Sequence, residues 1–208
     1  MALCTLCETR KPRRYCPGIR ADICAPCCGT EREVTVDCPL DCEYLVEARR
    51  HERETAEGDA PLPNADIQVT EEFVRTNDAL VILIGHLLAE ASLETQGAVD
   101  VDAREALEAL IRTHRTLDTG LIYETRPANP FAAEIQTRFQ DSLASVREDM
   151  AKEQGFHSIR DSHVLPVLVF FQRIELRTSN GRRRGRAFID FLRRFRGRKT
   201  PVDSIIAP

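Results

Sequence analysis

The stretch CAPCCGTEREVTVDCPLDC, Cys24 to Cys42, holds five of the chain's eight cysteines in nineteen residues. Cys4, Cys7 and Cys16 lie just upstream, and no cysteine follows Cys42. The full spacing is C-x2-C-x8-C-x7-C-x2-C-C-x9-C-x3-C. A C-x2-C turn sets two sulfurs on one ion at about 2.3 Å. Two such pairs, Cys4/Cys7 and Cys24/Cys27, stand sixteen residues apart, a separation that recurs in zinc sites. Eight sulfurs divide into two closed tetrahedral sites with none left over. The preferred partition is Cys4, Cys7, Cys24 and Cys27 for the first zinc, and Cys16, Cys28, Cys38 and Cys42 for the second. Adjacent Cys27 and Cys28 point in different directions and so suit neighbouring sites; their exchange is the nearest alternative partition.

Local signals fill in the module. Pro17-Gly18 supplies a turn after Cys16, and Gly29 is expected to give a positive-φ turn after Cys28. Glu33–Val36 reads as a short strand, and Cys42 stands at the start of a helix carrying Tyr44, Leu45 and Ala48. The basic run Arg10–Arg14 lies between ligands. Each tetrathiolate zinc carries −2, so Lys11, Arg13 and Arg14 are expected as countercharges, with a plain basic surface loop as the alternative. A segment of this size with few large apolar side chains cannot sustain a core, so metal binding would be folding. Rubredoxin-like iron also fits C-x2-C pairs, but the ferredoxin run C-x2-C-x2-C is absent. No βαβ pattern supports a thioredoxin-like dithiol. His51 reads as a solvated helix residue.

The block resembles the two-zinc cross-brace and treble-clef fingers of the MYND, HIT and B-box type, which mediate protein contacts. It departs from them in lacking their later histidine ligands and in carrying Cys28 directly after a knuckle. KPRRYCPG, ICAPCCGTERE and DCPLDCEYL are similar to a bacterial family with a Cys-rich N-terminus and a helical remainder. That resemblance carries over no activity.

Of the 208 residues, 42% are apolar and 30% charged, a globular composition. The most apolar run, Ala79–Leu88, is ten residues with a histidine inside, against about 20 for a membrane span. The N-terminus has no apolar run of secretory type, so a cytoplasmic location with reduced thiols is expected. Residues 57–69 contain two prolines and several turn formers and read as a linker between the module at 1–56 and a helical bundle at 70–199, with a tail at 200–208. About five helices are expected in a mainly α fold. The first runs from Thr70 to about Glu94. The second opens on a capping box, Asp102 with Glu105, and presents Leu107, Leu110, Ile111, His114, Leu117 and Leu121 on one face. The third is capped by Asn129-Pro130, buries Ile135, Phe139, Leu143, Val146 and Met150, and stops near Gly155. The fourth spans about Ser162 to Thr178 with Pro166 near its first turn, and the last carries Phe188, Phe191, Leu192 and Phe195.

Enzymatic signatures are missing. No Glu-x-x-His pair, P-loop or G-x-G-x-x-G occurs. His86 and His114 lie on apolar faces as core histidines, while His157 and His163 flank SIRDS in an expected loop. Residues 182–208 carry nine Lys+Arg against two Asp+Glu, in an otherwise acidic chain of net charge −4. Arg182, Arg183, Arg184, Arg186, Arg193 and Arg194 read as a solvated basic face or as phosphate contacts for nucleic acid. An anionic membrane surface is a further alternative. The expected role is a non-enzymatic interaction or regulatory module with structural zinc and a protein partner. A nucleic-acid-binding regulator is the second reading and a thiol-based redox or metal sensor the third.

Overall fold

The computed structural model describes residues 2–55, 62–118, 120, 123–154 and 159–196. Among them the chain is mainly helical, with eight α-helices and one two-stranded sheet. Residues 57–61 of the expected linker, Leu121, Gly155, His157 and the tail beyond 196 lie outside the described residues. Two compact units form: Met1–Gly58 with Thr178–Ala187, and Asp59–Arg177 with Phe188–Pro208. The segment from Thr178 to Ala187, read from the sequence as the end of one bundle helix and the approach to the next, thus folds with the cysteines.

The first unit opens on a tight loop in which the Cys4 N–H donates to the Arg10 carbonyl at 2.8 Å and the Glu8 N–H to the Cys4 carbonyl at 2.8 Å. Strands β1 (Arg14–Cys16) and β2 (Ala21–Ile23) pair antiparallel, with Arg14 opposite Ile23 and Cys16 opposite Ala21. The connecting turn needs its glycine for space: a Cβ on Gly18 would lie 2.6 Å from the Asp37 carbonyl oxygen. Helix α1 (Ala25–Glu31) follows, with Pro26 in its first turn, where a missing N–H costs nothing. Gly29 is helical, contrary to the turn expected there. The chain stays helical to Glu31, and the positive φ, 53°, falls on Glu33. Nor is Glu33–Val36 a strand. The N–H groups of Val34, Thr35 and Val36 all converge on the Glu31 carbonyl, leaving one isolated bridge, Arg32 to Val36. Helix α2 (Glu43–Thr55) begins just after Cys42, whose carbonyl accepts from the Leu45 and Val46 N–H groups.

Glu33 is 1% exposed and organises the rest of this unit. Its carboxylate accepts from Arg49 at 2.6 Å, from the Asn180 side chain at 2.8 Å and from the Arg186 backbone N–H at 3.0 Å. Its carbonyl accepts from the Arg184 N–H at 2.7 Å. Residues 178–187 therefore form a strap fastened through one buried acid.

In the second unit, α4 (Asp78–Glu94) is buried over most of its surface, as its long apolar run requires. The single helix expected from Thr70 is two. α3 (Glu71–Thr76), capped by Thr70, ends at Asn77, whose side chain turns back onto the Phe73 carbonyl at 2.9 Å. Asparagine competes for backbone groups in this way and interrupts helices. Helix α5 (Asp100–Asp118) starts earlier than the expected capping box. Asp102 is itself the reaching acid, accepting from the Val99 N–H at 2.8 Å, while its other oxygen takes the Asn129 amide at 2.6 Å. Asn129 in turn caps α6 (Pro130–Gln154), which packs on both α4 and α5. Helix α7 (Asp161–Thr178) carries Pro166 in its second turn, later than expected. Helix α8 (Ala187–Leu192) begins with the Phe188 and Ile189 N–H groups on the buried Asp100 carboxylate. Asn64, Asp66 and neighbouring carbonyls, at the end of the expected linker, are bound by Arg115 and Arg173.

The glycine inside α4 has a packing reason. A Cβ on Gly85 would lie 2.6 Å from the Phe195 ring and 2.8 Å from the Phe171 ring, and those rings meet edge-on at 5.5 Å. Gly85→Val should cost about 2 kcal/mol by overpacking, read as a lower denaturation midpoint at unchanged slope.

Candidate metal centre

Cys4 and Cys7 lie on the N-terminal loop, Cys24 precedes α1, and Cys27 lies within it. The four sulfurs lie within 4.8 Å of one another, and among the described residues this is the group that can hold a metal ion. A tetrahedral tetrathiolate with bonds of about 2.3 Å has S···S edges of about 3.8 Å. The Cys7 and Cys24 sulfurs are 3.9 Å apart. The chain prepares the charge as well. The Cys24 N–H donates to Cys4 Sγ at 3.2 Å and the Thr9 hydroxyl to Cys7 Sγ at 3.3 Å. Arg10 faces the Cys24 and Cys7 sulfurs, which hold its guanidinium more firmly protonated.

These contacts order the protons of the metal-free cage. The Thr9 hydroxyl, with the backbone N–H groups of Thr9 and Arg10, brings the Cys7 thiol down to about 5. Burial works against ionisation of Cys4, but N–H groups from Cys24, Cys7 and Leu6 outweigh it and the thiol is lowered. Cys27, donating toward Cys24 and buried, is pushed up to about 12. At neutral pH, Cys7 offers a thiolate directly, whereas Cys27 must lose its proton to solvent as it binds a metal. Proton and metal compete, so apparent affinity should fall on acidification by at least about tenfold per pH unit below neutrality, measurable by chelator competition.

Cys16, Cys28, Cys38 and Cys42 are not drawn into so tight a group. They line one cavity of about 10 Å³ with Arg14, Tyr15, Ile23, Arg32, Tyr44 and Leu45. That is room for about one water-sized sphere. Cys16 ends β1, Cys28 belongs to α1, Cys42 precedes α2, and Cys38 arrives on the loop that Gly18 allows to approach. Arg14 spans the cavity wall, 3.6 Å from Cys28 Sγ and 4.3 Å above the Tyr44 ring centre. Burial raises the Cys38 thiol.

Of the basic residues between ligands, Arg14 and Arg10 face sulfurs. Arg13 contributes its backbone N–H to the Ile23 carbonyl, and Lys11 is exposed. Arg10 was within the run read from the sequence but was not singled out; its position opposite Cys24 depends on the closed loop. The C-terminal arginines divide. Arg182 is held inside the first unit by the Arg32 carbonyl at 2.7 Å and by Glu52 at 3.3 Å. Arg193 pairs with Asp190, and Arg194 lies over the Phe191 ring. Arg183, Arg184 and Arg194 are exposed, and Arg186 is half-buried.

No protein-family model, curated protein or solved structure matches the chain.

The histidines sit elsewhere. His51 is exposed on α2. His86 lies between the Phe195 carbonyl and Glu90. His163 is exposed in the first turn of α7 rather than in a loop. His114 is buried, with Nδ1 3.1 Å from Asp161, which also takes Arg147 at 2.8 Å. Desolvation lowers the His114 pKa, opposed by Asp161 and aided by Arg147. This contact joins α5 to α7 and had no signature in the sequence. No helix among the described residues is long and apolar enough to cross a membrane.

Proposed function

We propose that the chain is a non-enzymatic, zinc-binding interaction module of treble-clef-like form. The observation that carries this reading is the cage of four sulfurs within 4.8 Å, built from a knuckle loop, a β-hairpin and a helix start. Four thiolates close a zinc ion's coordination, leaving no position for substrate, so the metal acts structurally. A second zinc belongs at the cavity shared by Cys16, Cys28, Cys38 and Cys42. Leu3, Leu6, Tyr15 and Val46 are exposed on the same unit and supply apolar surface for a protein partner in the cytoplasm. Native mass spectrometry with elemental analysis tests the metal reading: two zinc ions per chain are expected, and a cysteine-rich unit that stays folded without metal refutes it.

Exposed Arg183, Arg184 and Arg194 favour nucleic acid as the second reading. Titration against duplex DNA and single-stranded RNA over a range of salt, beside R183A/R184A, separates the two. Log affinity falling by about 0.9 per duplex phosphate contact, with a shallower slope in the variant, supports nucleic acid. Absence of binding at low salt leaves the protein partner.

A further inference from the structure

The strap around Asn180–Arg186 is fastened to the parts of the first unit that carry three of the cavity's four sulfurs. Arg182 reaches the Gly29 and Arg32 carbonyls, at the end of the helix bearing Cys28, and Glu52 on the helix that Cys42 precedes. Glu33 makes the third connection. Its backbone N–H is directed to the Cys38 sulfur, while its carbonyl holds Arg184 and its carboxylate holds Asn180 and Arg186. The strap is shaped for this seat: the Asn180 side-chain oxygen accepts from the Arg182 N–H at 3.1 Å, and a Cβ on Gly185 would lie 2.6 Å from that oxygen.

Little apolar packing besides sulfur joins these elements. Ile23, Val36 and Leu45 are the other fully buried apolar side chains of this core. Glu33 also stands at a φ of 53°, a conformation a non-glycine residue keeps only where its surroundings impose it. An ion bonded to Cys16, Cys28, Cys38 and Cys42 would tie β1, α1, the 33–38 loop and the start of α2 to a single point.

We propose that metal in the Cys16–Cys28–Cys38–Cys42 cavity locks the Asn180–Arg186 strap to the first unit through Glu33, so that loss of this ion releases the strap. The proposal rests on the second zinc centre, and its test keeps the two apart. Trypsin cuts after arginine, and Arg182, Arg183, Arg184 and Arg186 place reporters along the strap. The full chain is digested briefly and cleavage there is timed by mass spectrometry, with metal counted in parallel. Bonds after Arg112 and Arg138, within α5 and α6, serve as the control for general unfolding.

Two-zinc wild type is expected to resist cleavage in the strap. Cys38→Ser, reduced to one ion, is expected to be cut there about tenfold faster or more, because proteolysis follows the population of the open form. Cys7→Ser, which opens the other cage, should free the strap only together with residues 2–55. Glu33→Gln should keep both ions and still expose the strap, so it reports even where Cys38→Ser does not fold. A wild-type count of one ion refutes the second centre and the lock with it. A count of two, with strap cleavage unchanged in Cys38→Ser and Glu33→Gln, leaves the centre standing and overturns the lock.

Discussion

Chelating the metal, or changing Cys27 to Ser, should unfold the cysteine-rich unit while the helical unit keeps its own melting transition. Five of the eight members of the first unit's buried cluster are cysteines, leaving Ile23, Val36 and Leu45 as its apolar content. Three such side chains, at about 1.5–3 kcal/mol each, cannot order a unit of roughly sixty residues. A structural zinc in a small finger contributes roughly 10–16 kcal/mol at neutral pH, enough to decide between folded and unfolded. The expected record is rapid proteolysis of residues 2–55 on chelation, reversed by zinc. Calorimetry should retain an endotherm for the helical unit. Unchanged protection of residues 2–55 after complete metal removal would show that another interaction holds this unit.

Arg104→Ala should cost the helical unit about 3 kcal/mol, at the low end of the range for breaking a buried pair, because Arg104 keeps some solvent. Glu175 is 1% exposed, and Arg104 binds both its oxygens, at 2.8 and 2.9 Å. This pairing holds Arg104 more firmly protonated. Removing the arginine leaves a carboxylate in an apolar setting. In a unit of this size the melting temperature should fall by about 6–12 °C. Replacing both partners by methionine should recover most of the loss, because the buried charge goes as well. If Arg104→Ala and the double variant melt together with the parent, the pair contributes nothing.

Where the signal was local, the sequence was informative. Asn129-Pro130 caps α6 as read, because capping involves only a few consecutive residues. Apolar periodicity foretold Phe139, Leu143, Leu107 and Leu110 in the core. It did not place the break at Asn77, since Asn and Asp within an otherwise apolar pattern interrupt a helix only when their side chains turn back on the backbone. Gly29 shows the same ambiguity: glycine permits a turn but does not require one, and this one remains helical.

The candidate site divides along the same line. Two C-x2-C pairs at the right separation were enough to select Cys4, Cys7, Cys24 and Cys27, because short knuckles bring their sulfurs together with little help from the rest of the chain. Cys16, Cys28, Cys38 and Cys42 lack a knuckle; their shared cavity arises from the hairpin, the Gly18 approach and the start of α2 acting together. Glu33 is the clearest case of what sequence spacing leaves open. Nothing in the local string TEREV marks its glutamate as buried, or as the partner of Asn180, 147 residues away. Helix phases, caps and knuckles depend on neighbours a few residues apart, and such energies are set by the sequence alone. A buried carboxylate is tolerated only once remote donors converge on it, and that convergence exists in the folded chain alone.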